Sequence, residues 1–97
     1  ARVNGIKVVL ASVLPALEYP WKKGMDPANK IPTLNKLLQE YALQEGIVYL
    51  DYYTAMVDKQ SGLNAALTYD GVHPNRAGYD LMEHLVEKAL AVVLASP

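Results

Sequence analysis

The sequence predicts an α/β fold in which helices cover a parallel β-sheet. Two short runs of β-branched and aromatic residues indicate strands, and a segment whose apolar residues recur at helical spacing separates them. A second segment with helical spacing ends the chain. Because strands that a helix joins run parallel and cross over right-handedly, the order strand, helix, strand, long loop, helix favours a parallel sheet.

The first strand is predicted over residues 6–14, which are β-branched and almost continuously apolar. Such a run is typical of a strand that is buried on both faces, as in a parallel sheet under helices. Pro15 ends this strand. Residues 16–27 contain two prolines, a glycine and the aromatic residues Tyr19 and Trp21, and they are predicted to form a loop.

The first helix is predicted from apolar residues at helical spacing, which we expect on its buried face: Ile31, Leu34, Leu37, Leu38, Tyr41 and Ala42. Asp26 or Asn29 could cap the start of this helix. Pro32 is expected in its first turn, where a missing backbone N–H costs little. Gly46 is placed to end the helix, since glycine readily takes the left-handed conformation found there.

The second strand is predicted over residues 47–50. It ends near Asp51, which we expect to cap the next turn rather than to enter a site. Residues 52–74 contain one expected helical turn around Thr54 and are otherwise irregular, and connections of this length are usually functional or disordered. Asn75 then caps the last helix. The apolar stripe of that helix consists of Met82, Leu85, Val86, Ala89, Leu90 and Val93.

The two predicted strands do not account for a complete sheet. Two strands by themselves are marginally stable at best in water, and the first of them has no polar face to expose. We therefore expect further strands, from an N-terminal segment or from another chain.

Composition is typical of a single globular domain. The 97 residues are 52% hydrophobic and 20% charged with a formal net charge of −1, which excludes the basic surface that binds nucleic acid or anionic lipid. The absence of cysteine excludes disulfides and thiolate metal sites, and no cofactor is expected. The longest apolar run, residues 89–95, is far shorter than the roughly 20 residues of a membrane-spanning helix. A secreted or periplasmic location would require a signal peptide encoded upstream.

The segment with the most chemical information is Tyr-Asp-Gly-Val-His-Pro-Asn at residues 69–75, in the long loop. Ligands of open parallel sheets bind beyond the carboxyl ends of the strands, where this loop begins. Gly71 permits an unusual backbone angle, and Pro74 keeps His73 extended. Asp70 can then accept a hydrogen bond from the His73 Nδ1–H, which leaves Nε2 to accept a proton. Capping boxes and plain surface hydrogen bonds have the same spacing, but the position in the long loop favours a catalytic role.

The block Asp-Gly-Val-His-Pro-Asn, followed by Ala-Gly-Tyr and an apolar helix, resembles the last conserved block of the SGNH (GDSL-type) hydrolases. Ser-Val-Leu-Pro, Ile-Pro-Thr-Leu-Asn-Lys-Leu and Val-Tyr-Leu-Asp-Tyr-Tyr match the family more loosely upstream. The resemblance implies that residues 1–97 form the C-terminal portion of a single SGNH hydrolase domain. It also implies a flavodoxin-like, three-layer α/β/α fold with a parallel sheet, and ester hydrolysis through an acyl-serine.

In the catalytic triad that the resemblance implies, His73 is the general base and Asp70 is its orienting partner. The Gly-Asp-Ser block that carries the family's nucleophile is absent, as are the blocks that supply oxyanion donors. None of the three serines, Ser12, Ser61 and Ser96, lies at a strand-to-helix turn. We therefore expect the N-terminal half of the same enzyme, as a separate fragment or chain, to supply the serine, and this chain to be inactive without it.

A protein of another class also fits the sequence. In that alternative the chain is a non-catalytic flavodoxin-like module that binds a partner through a strand edge, and Asp70 and His73 form only a structural turn.

The expected substrate is a small-molecule ester, and acetyl esters, acylated sugars, lysophospholipids and thioesters all suit such a site. Val72, Tyr19 and Trp21 are the candidate substrate-binding residues, although the two aromatic side chains could instead pack over the other half of the domain. His84 is expected on the solvated face of the last helix, apart from His73, so no metal site is predicted.

Overall fold

The computed structural model describes residues 7–95. Along the chain it contains β1 (Val9–Ala11), α1 (Pro27–Glu45), β2 (Val48–Leu50), α2 (Tyr52–Met56), a 3-10 turn (Ala65–Leu67) and α3 (Arg76–Ala95). This order agrees with the prediction. Ile6, at the predicted start of the first strand, and Ser96 lie outside the described residues.

The two strands form a parallel pair in which Val9 lies opposite Val48. The backbone N–H of Ser12 donates to the carbonyl of Leu50 at 2.9 Å, which continues the pairing beyond the strands. The α1 helix connects the two strands, as parallel pairing requires. The predicted α/β fold with a parallel sheet is therefore confirmed, and it is consistent with part of a flavodoxin-like fold.

The first strand is shorter and less buried than predicted. The prediction extended over residues 6–14, whereas the paired residues are those of β1 alone. Val9 and Leu10 are half-buried and Ala11 is exposed, so the strand is not buried on both faces. The reason is that β1 has one neighbouring strand among the described residues, and that neighbour is itself short.

The two long helices cover opposite faces of the sheet. The Tyr49 hydroxyl donates to the backbone carbonyl of Asn35 in α1 at 3.4 Å, so Tyr49 faces that helix. Because side chains alternate along a strand, Val48 and Leu50 face the other way, where α3 packs. The buried apolar side chains are Ala16, Ile31, Ala42, Leu50, Met56, Leu63, Ala89 and Val93.

The start of α1 differs from the prediction. The helix begins at Pro27, directly after Asp26, so Pro32 lies in the second turn and not in the first. Pro27 favours this start because proline has no backbone N–H, and a residue at the first helical position does not need one for the hydrogen bonds of the helix. Asp26 has a φ of 57° and its carboxylate accepts the Asn29 side-chain amide at 3.1 Å, not a backbone N–H of the helix. The end agrees with the prediction, since Gly46 has a φ of 66° and its N–H donates to carbonyls of the last turn.

The buried face of α1 includes one polar residue, Asn35. Asn35 is only 6% exposed. Its Oδ1 accepts the backbone N–H of Val13 at 2.7 Å, and its Nδ2 donates to the Val13 carbonyl at 3.0 Å. These two bonds satisfy the backbone just after β1, as a neighbouring strand would. Of the residues predicted on the buried face, Ile31 and Ala42 are buried, whereas Leu34, Leu37 and Tyr41 are 45%, 58% and 54% exposed in this chain.

The α3 helix begins at the predicted cap, with the Asn75 Oδ1 accepting the N–H of Gly78 at 2.9 Å. Ala89 and Val93 are buried as predicted, whereas Leu90 of the same stripe is 44% exposed. Within residues 7–95, no helix is both long enough and apolar enough to cross a membrane.

Gly78 allows α3 to begin directly against the 3-10 turn. A Cβ atom at this position would lie 2.4 Å from the carbonyl oxygen of Leu67 and 2.9 Å from the Cβ of Pro74. The Leu67 oxygen also accepts the backbone N–H of Asn75 at 2.8 Å, so it has little freedom to move away. The absence of a side chain at Gly78 is therefore a packing requirement.

Replacing Gly78 by Ala in the naturally encoded protein, that is, the protein as its gene encodes it, should lower the free energy of unfolding by about 1–3 kcal/mol. The reason is that α3 must move away from the 3-10 turn. Helix propensity alone predicts that the Gly78→Ala variant is more stable than the wild type, since alanine is the better helix former. Chemical denaturation measures the change, with Ala77→Ser at the exposed neighbouring position as the control. A Gly78→Ala protein as stable as the wild type would contradict the close approach.

Candidate active site

The loops that leave the carboxyl ends of the two strands meet at His73. The ring centroid of Trp21, in the loop after β1, lies 6.1 Å from that of His73, in the connection after β2. Ligands of parallel α/β sheets bind at this edge. The structure thus brings together the loop after β1, which contains Trp21, and the long connection after β2, which contains His73.

Residues 68–74 form a closed turn that presents the His73 side chain. Thr68 and Pro74 pair across the base of this turn as an antiparallel bridge. Gly71 has a φ of 86°, which only glycine adopts without strain. Pro74 is buried and restricts His73 to an extended backbone. The sequence signals that predicted a stiff turn here therefore act as expected.

The Asp70 carboxylate accepts hydrogen bonds at three points of this turn. Its Oδ1 accepts the backbone N–H groups of Val72 at 2.9 Å and of His73 at 2.7 Å. Its Oδ2 lies 2.6 Å from the Nδ1 of His73. Because an ionised carboxylate can only accept, Nδ1 carries the proton of this bond and Nε2 is the ring nitrogen left to accept another. The predicted contact between the two side chains is formed.

These hydrogen bonds hold the pKa of the Asp70 carboxyl well below its usual range. The largest cause is the backbone N–H of His73, followed by the hydrogen bond with the His73 side chain and then by the backbone N–H of Val72. All three bonds favour the charged form of the carboxyl. Asp70 is therefore a carboxylate at neutral pH, the form that can orient an imidazole and support its positive charge.

Two further side chains hold the turn in place. The Thr68 hydroxyl donates to the carbonyl of His73 at 2.6 Å and accepts the N–H of Gly71 at 3.0 Å. The Asn75 side-chain amide donates to the carbonyl of Ala66 at 3.1 Å, which ties the turn to the neighbouring 3-10 turn. Thr68 was not predicted from the sequence as a residue of this site. A signal exists, because threonine hydroxyls commonly accept backbone N–H groups a few residues ahead in turns.

Two aromatic side chains lie near the His73 ring, and a third stacks on one of them. Trp21 is tilted by 38° to that ring, and Tyr69 lies nearly parallel to it with its centroid 6.5 Å away. Tyr19 stacks on Trp21 with a centroid distance of 5.2 Å. Of the candidate substrate-binding residues, Trp21 thus lies beside His73, and Tyr19 adjoins Trp21. Tyr69 was missed, and its position next to Asp70 in the sequence is the signal that could have identified it.

Three further polar residues, Ser12, Ser61 and Asp51, have structural roles. Ser12 is buried and its Oγ accepts the backbone N–H of Tyr53 at 3.0 Å. Ser61 lies in a tight turn with a φ of 67°. Asp51 caps α2 as predicted, accepting the backbone N–H of Thr54 at 3.1 Å and its hydroxyl at 2.6 Å.

Val72 lies within the turn that carries His73, whereas His84 lies on α3. The backbone N–H of Val72 binds Asp70, and its side chain is half-buried. His84 is exposed on α3, as predicted. In the part of the chain that the structure describes, no group of three His, Asp or Glu side chains could hold a metal ion.

Fold and site together define a class of protein, an α/β protein with an Asp–His pair at the carboxyl edge of a parallel sheet. Residues 1–81 match the model of the GDSL-like lipase/acylhydrolase family. The chain belongs to that family, and the resemblance inferred from the Asp-Gly-Val-His-Pro-Asn block is confirmed.

Solved structures agree with this assignment. A crystal structure from Bacteroides fragilis, named as a proposed acylhydrolase, matches with a TM-score of 0.90 and 42% identity over 97% of this chain and 46% of its own. A GDSL-like lipase from Bacteroides thetaiotaomicron matches with a TM-score of 0.87 and 44% identity over 94% of this chain and 45% of its own.

A more distant match supports the fold alone. The esterase domain of the ORF1 protein of the zebrafish ZfL2-1 retrotransposon has a TM-score of 0.74 at 17% identity, over 95% of this chain and 50% of its own. No curated protein matches the chain. The chain spans about half the length of these solved structures.

The Asp70 carboxyl should titrate below the ordinary aspartate pKa of about 3.9. Since the folded-state pKa is the lower one, the stability that Asp70 contributes is fully present above the ordinary value and is lost as the pH falls through the lowered value. In the His73→Ala variant the backbone N–H, the largest cause, remains, so the pKa should rise only part of the way. Carbon-13 NMR of the carboxyl measures it, and a full return to the ordinary pKa in that variant would show that the ring is the main cause.

Proposed function

We propose that this chain supplies the general base and its orienting carboxylate for an ester hydrolase that works through an acyl-serine. The observation that carries the proposal is the 2.6 Å contact between His73 Nδ1 and Asp70 Oδ2, in a turn at the carboxyl edge of the sheet. Membership of the GDSL-like lipase/acylhydrolase family supports ester hydrolysis as the reaction.

In the first half-reaction, His73 Nε2 takes the proton of a serine hydroxyl while the serine oxygen attacks the ester carbonyl carbon. The imidazolium then gives this proton to the oxygen of the leaving alcohol as the ester C–O bond breaks, and the acyl group remains on serine. In the second half-reaction, His73 takes a proton from water as the water oxygen attacks the acyl carbon. That proton passes to the serine oxygen, which frees the carboxylic acid and restores the neutral imidazole.

Asp70 has two functions in this mechanism. Its bond to Nδ1 selects the tautomer whose Nε2 can accept a proton. Its negative charge stabilises the imidazolium that forms in each half-reaction, without itself taking up the proton. The lowered pKa of Asp70 suits both functions, because the carboxyl stays ionised throughout.

The nucleophile of this mechanism is proposed to lie outside the 97 residues. The Ser12 Oγ is buried and already accepts a backbone N–H, and Ser61 lies in a turn that the Asp58 carboxylate holds. Neither serine occupies the strand-to-helix turn that exposes a nucleophile. We propose the N-terminal half of the same enzyme, as a separate fragment or chain, as the source of the serine and of the oxyanion donors.

The proposed substrate is a small-molecule ester that binds beside His73. Tyr19 and Trp21 have apolar rings with polar tips, which suit the wall of a pocket that takes both acyl and alcohol groups. Val72 adjoins His73 in the turn and is proposed to complete this surface. The aromatic contacts near the imidazole support this location for the substrate.

Replacing His73 by Ala in the naturally encoded protein should lower kcat for ester hydrolysis by at least about a thousandfold, because the general base is lost. Asp70→Asn should lower kcat by a similar factor, since the amide does not hold the required tautomer. Hydrolysis of p-nitrophenyl acetate measures both, with circular dichroism as the check on folding. His84→Ala is the matched control and should keep the wild-type rate. Full activity of both site variants would contradict the triad assignment, whereas no hydrolysis by the wild-type protein would favour the non-catalytic module.

A fluorophosphonate that modifies activated serines should label a serine outside residues 1–97, and the His73→Ala variant should be labelled far more slowly because its serine is not activated. Mass spectrometry of peptides locates the adduct in the naturally encoded protein. An adduct on Ser12 or Ser61 would place the nucleophile within this chain and contradict the proposal.

A further inference from the structure

We propose that Thr68 is a positioning residue for the imidazole of His73, an inference that rests on the catalytic role proposed above. The Thr68 hydroxyl contacts the backbone of His73 and of the turn before it, and it makes no contact with the ring. Its effect on the reaction would therefore pass through the position of His73.

The His73 ring depends on hydrogen bonds for its position. In this chain, which spans about half the length of the related structures, the His73 side chain is 56% exposed and that of Asp70 is 34% exposed, so hydrogen bonds within the turn are the main constraint on the ring. An exposed side chain keeps its rotamer freedom unless specific bonds remove it. The position of Nε2 is then set by the bond at Nδ1 and by the backbone that carries the ring.

The backbone of His73 is held on both sides of its Cα atom. On one side, its N–H donates to Asp70 Oδ1 at 2.7 Å. On the other side, its carbonyl accepts the Thr68 hydroxyl at 2.6 Å. Removing the hydroxyl would leave the N–H side fixed and the carbonyl side without its side-chain partner. The His73 carbonyl could then shift within the range that Pro74 allows, and such a shift would move Nε2.

The bonds of the turn use the full capacity of the Thr68 hydroxyl. A hydroxyl has one proton to donate and two lone pairs that accept. The proton goes to the His73 carbonyl, and the oxygen accepts the N–H of Gly71 at 3.0 Å and that of Asp70 at 3.3 Å. Asp70 Oδ1 lies 3.4 Å from the same oxygen and is the weaker competitor for the single proton. One hydroxyl thus joins both members of the pair through their backbones.

A positioning role has a kinetic signature of its own. The aromatic side chains proposed to bind substrate do not depend on the Thr68 hydroxyl, so KM should change little. Proton transfer between serine and Nε2 requires a well-defined geometry, and a displacement of about 1 Å can cost about a hundredfold in rate. Loss of the hydroxyl should therefore lower kcat.

The test compares Thr68→Val with Thr68→Ser in the naturally encoded protein. Valine keeps the branched shape without the hydroxyl, and we expect kcat to fall about ten- to hundredfold while KM stays within about twofold. Serine keeps the hydroxyl and should give a kcat within about threefold of the wild type. Proton and nitrogen-15 NMR of the His73 ring should show faster solvent exchange of the Nδ1 proton in Thr68→Val but not in Thr68→Ser.

The matched control is Thr54→Val. The Thr54 hydroxyl donates to Asp51 at the same 2.6 Å, but it does so in the cap of α2, so this variant should keep the wild-type kcat. If Thr68→Val keeps the wild-type kcat and ring exchange while His73→Ala is inactive, Thr68 has no positioning role and the proposed function still stands. Full activity of His73→Ala would overturn both. If Thr68→Val does not fold, Thr68→Ala removes the same hydroxyl, and the same outcomes decide.

Discussion

The hydrogen bonds that Asp70 accepts fix the part of this molecule on which its proposed chemistry depends. One carboxylate oxygen closes the turn by accepting two backbone N–H groups, and the other orients the imidazole. Folding of the turn and orientation of the base are thus functions of the same side chain. A substitution of His73 can separate these two functions, because it removes the ring that Asp70 orients and keeps the backbone N–H that Asp70 accepts. The low pKa of the carboxyl has the same origin, since the turn binds the ionised form.

The turn of residues 68–74 lies between the 3-10 turn and α3. It is held in place because the start of α3 packs against that 3-10 turn. The Leu67 carbonyl accepts the N–H of Asn75 at 2.8 Å, and the Asn75 side chain bridges from the Ala66 carbonyl to the first turn of α3. The close approach at Gly78 is possible because that residue has no Cβ. Since α3 also packs on the sheet, the position of His73 relative to the strands follows from ordinary helix packing.

Local signals in the sequence predicted more of this structure than long-range ones. Gly46, Asp51 and Asn75 were assigned correctly because a helix end or a cap depends on a few neighbouring residues. The Asp70–His73 contact was predicted for the same reason, since glycine and proline determine the turn around it.

The errors come from contacts between distant parts of the chain. The buried face of α1 was predicted only in part: Ile31 and Ala42 are buried as expected, but Asn35 was missed because it is polar. Its burial is explained by a partner 22 residues away in the sequence, the backbone of Val13. No periodicity of apolar residues reveals such a partner. Burial of β1 was overestimated because it depends on how many strands surround it. Thr68 is the exception, because its bonds are local, but the groups that its hydroxyl contacts depend on the detailed shape of the turn.

The bonds described for the Asp–His pair all come from residues between Ala66 and Gly78, a single continuous segment. Within the described residues, this one segment therefore orients the imidazole in its turn. The segment proposed to supply the serine would then have to align its hydroxyl with Nε2. The contact between Trp21 and His73 bears on this alignment, because Trp21 belongs to the loop after β1, whose start is anchored to α1 and α2 through Val13 and Ser12. The loop that carries Trp21 thus starts from a backbone that two helices hold, and the proposed serine would have to reach Nε2 beside Trp21.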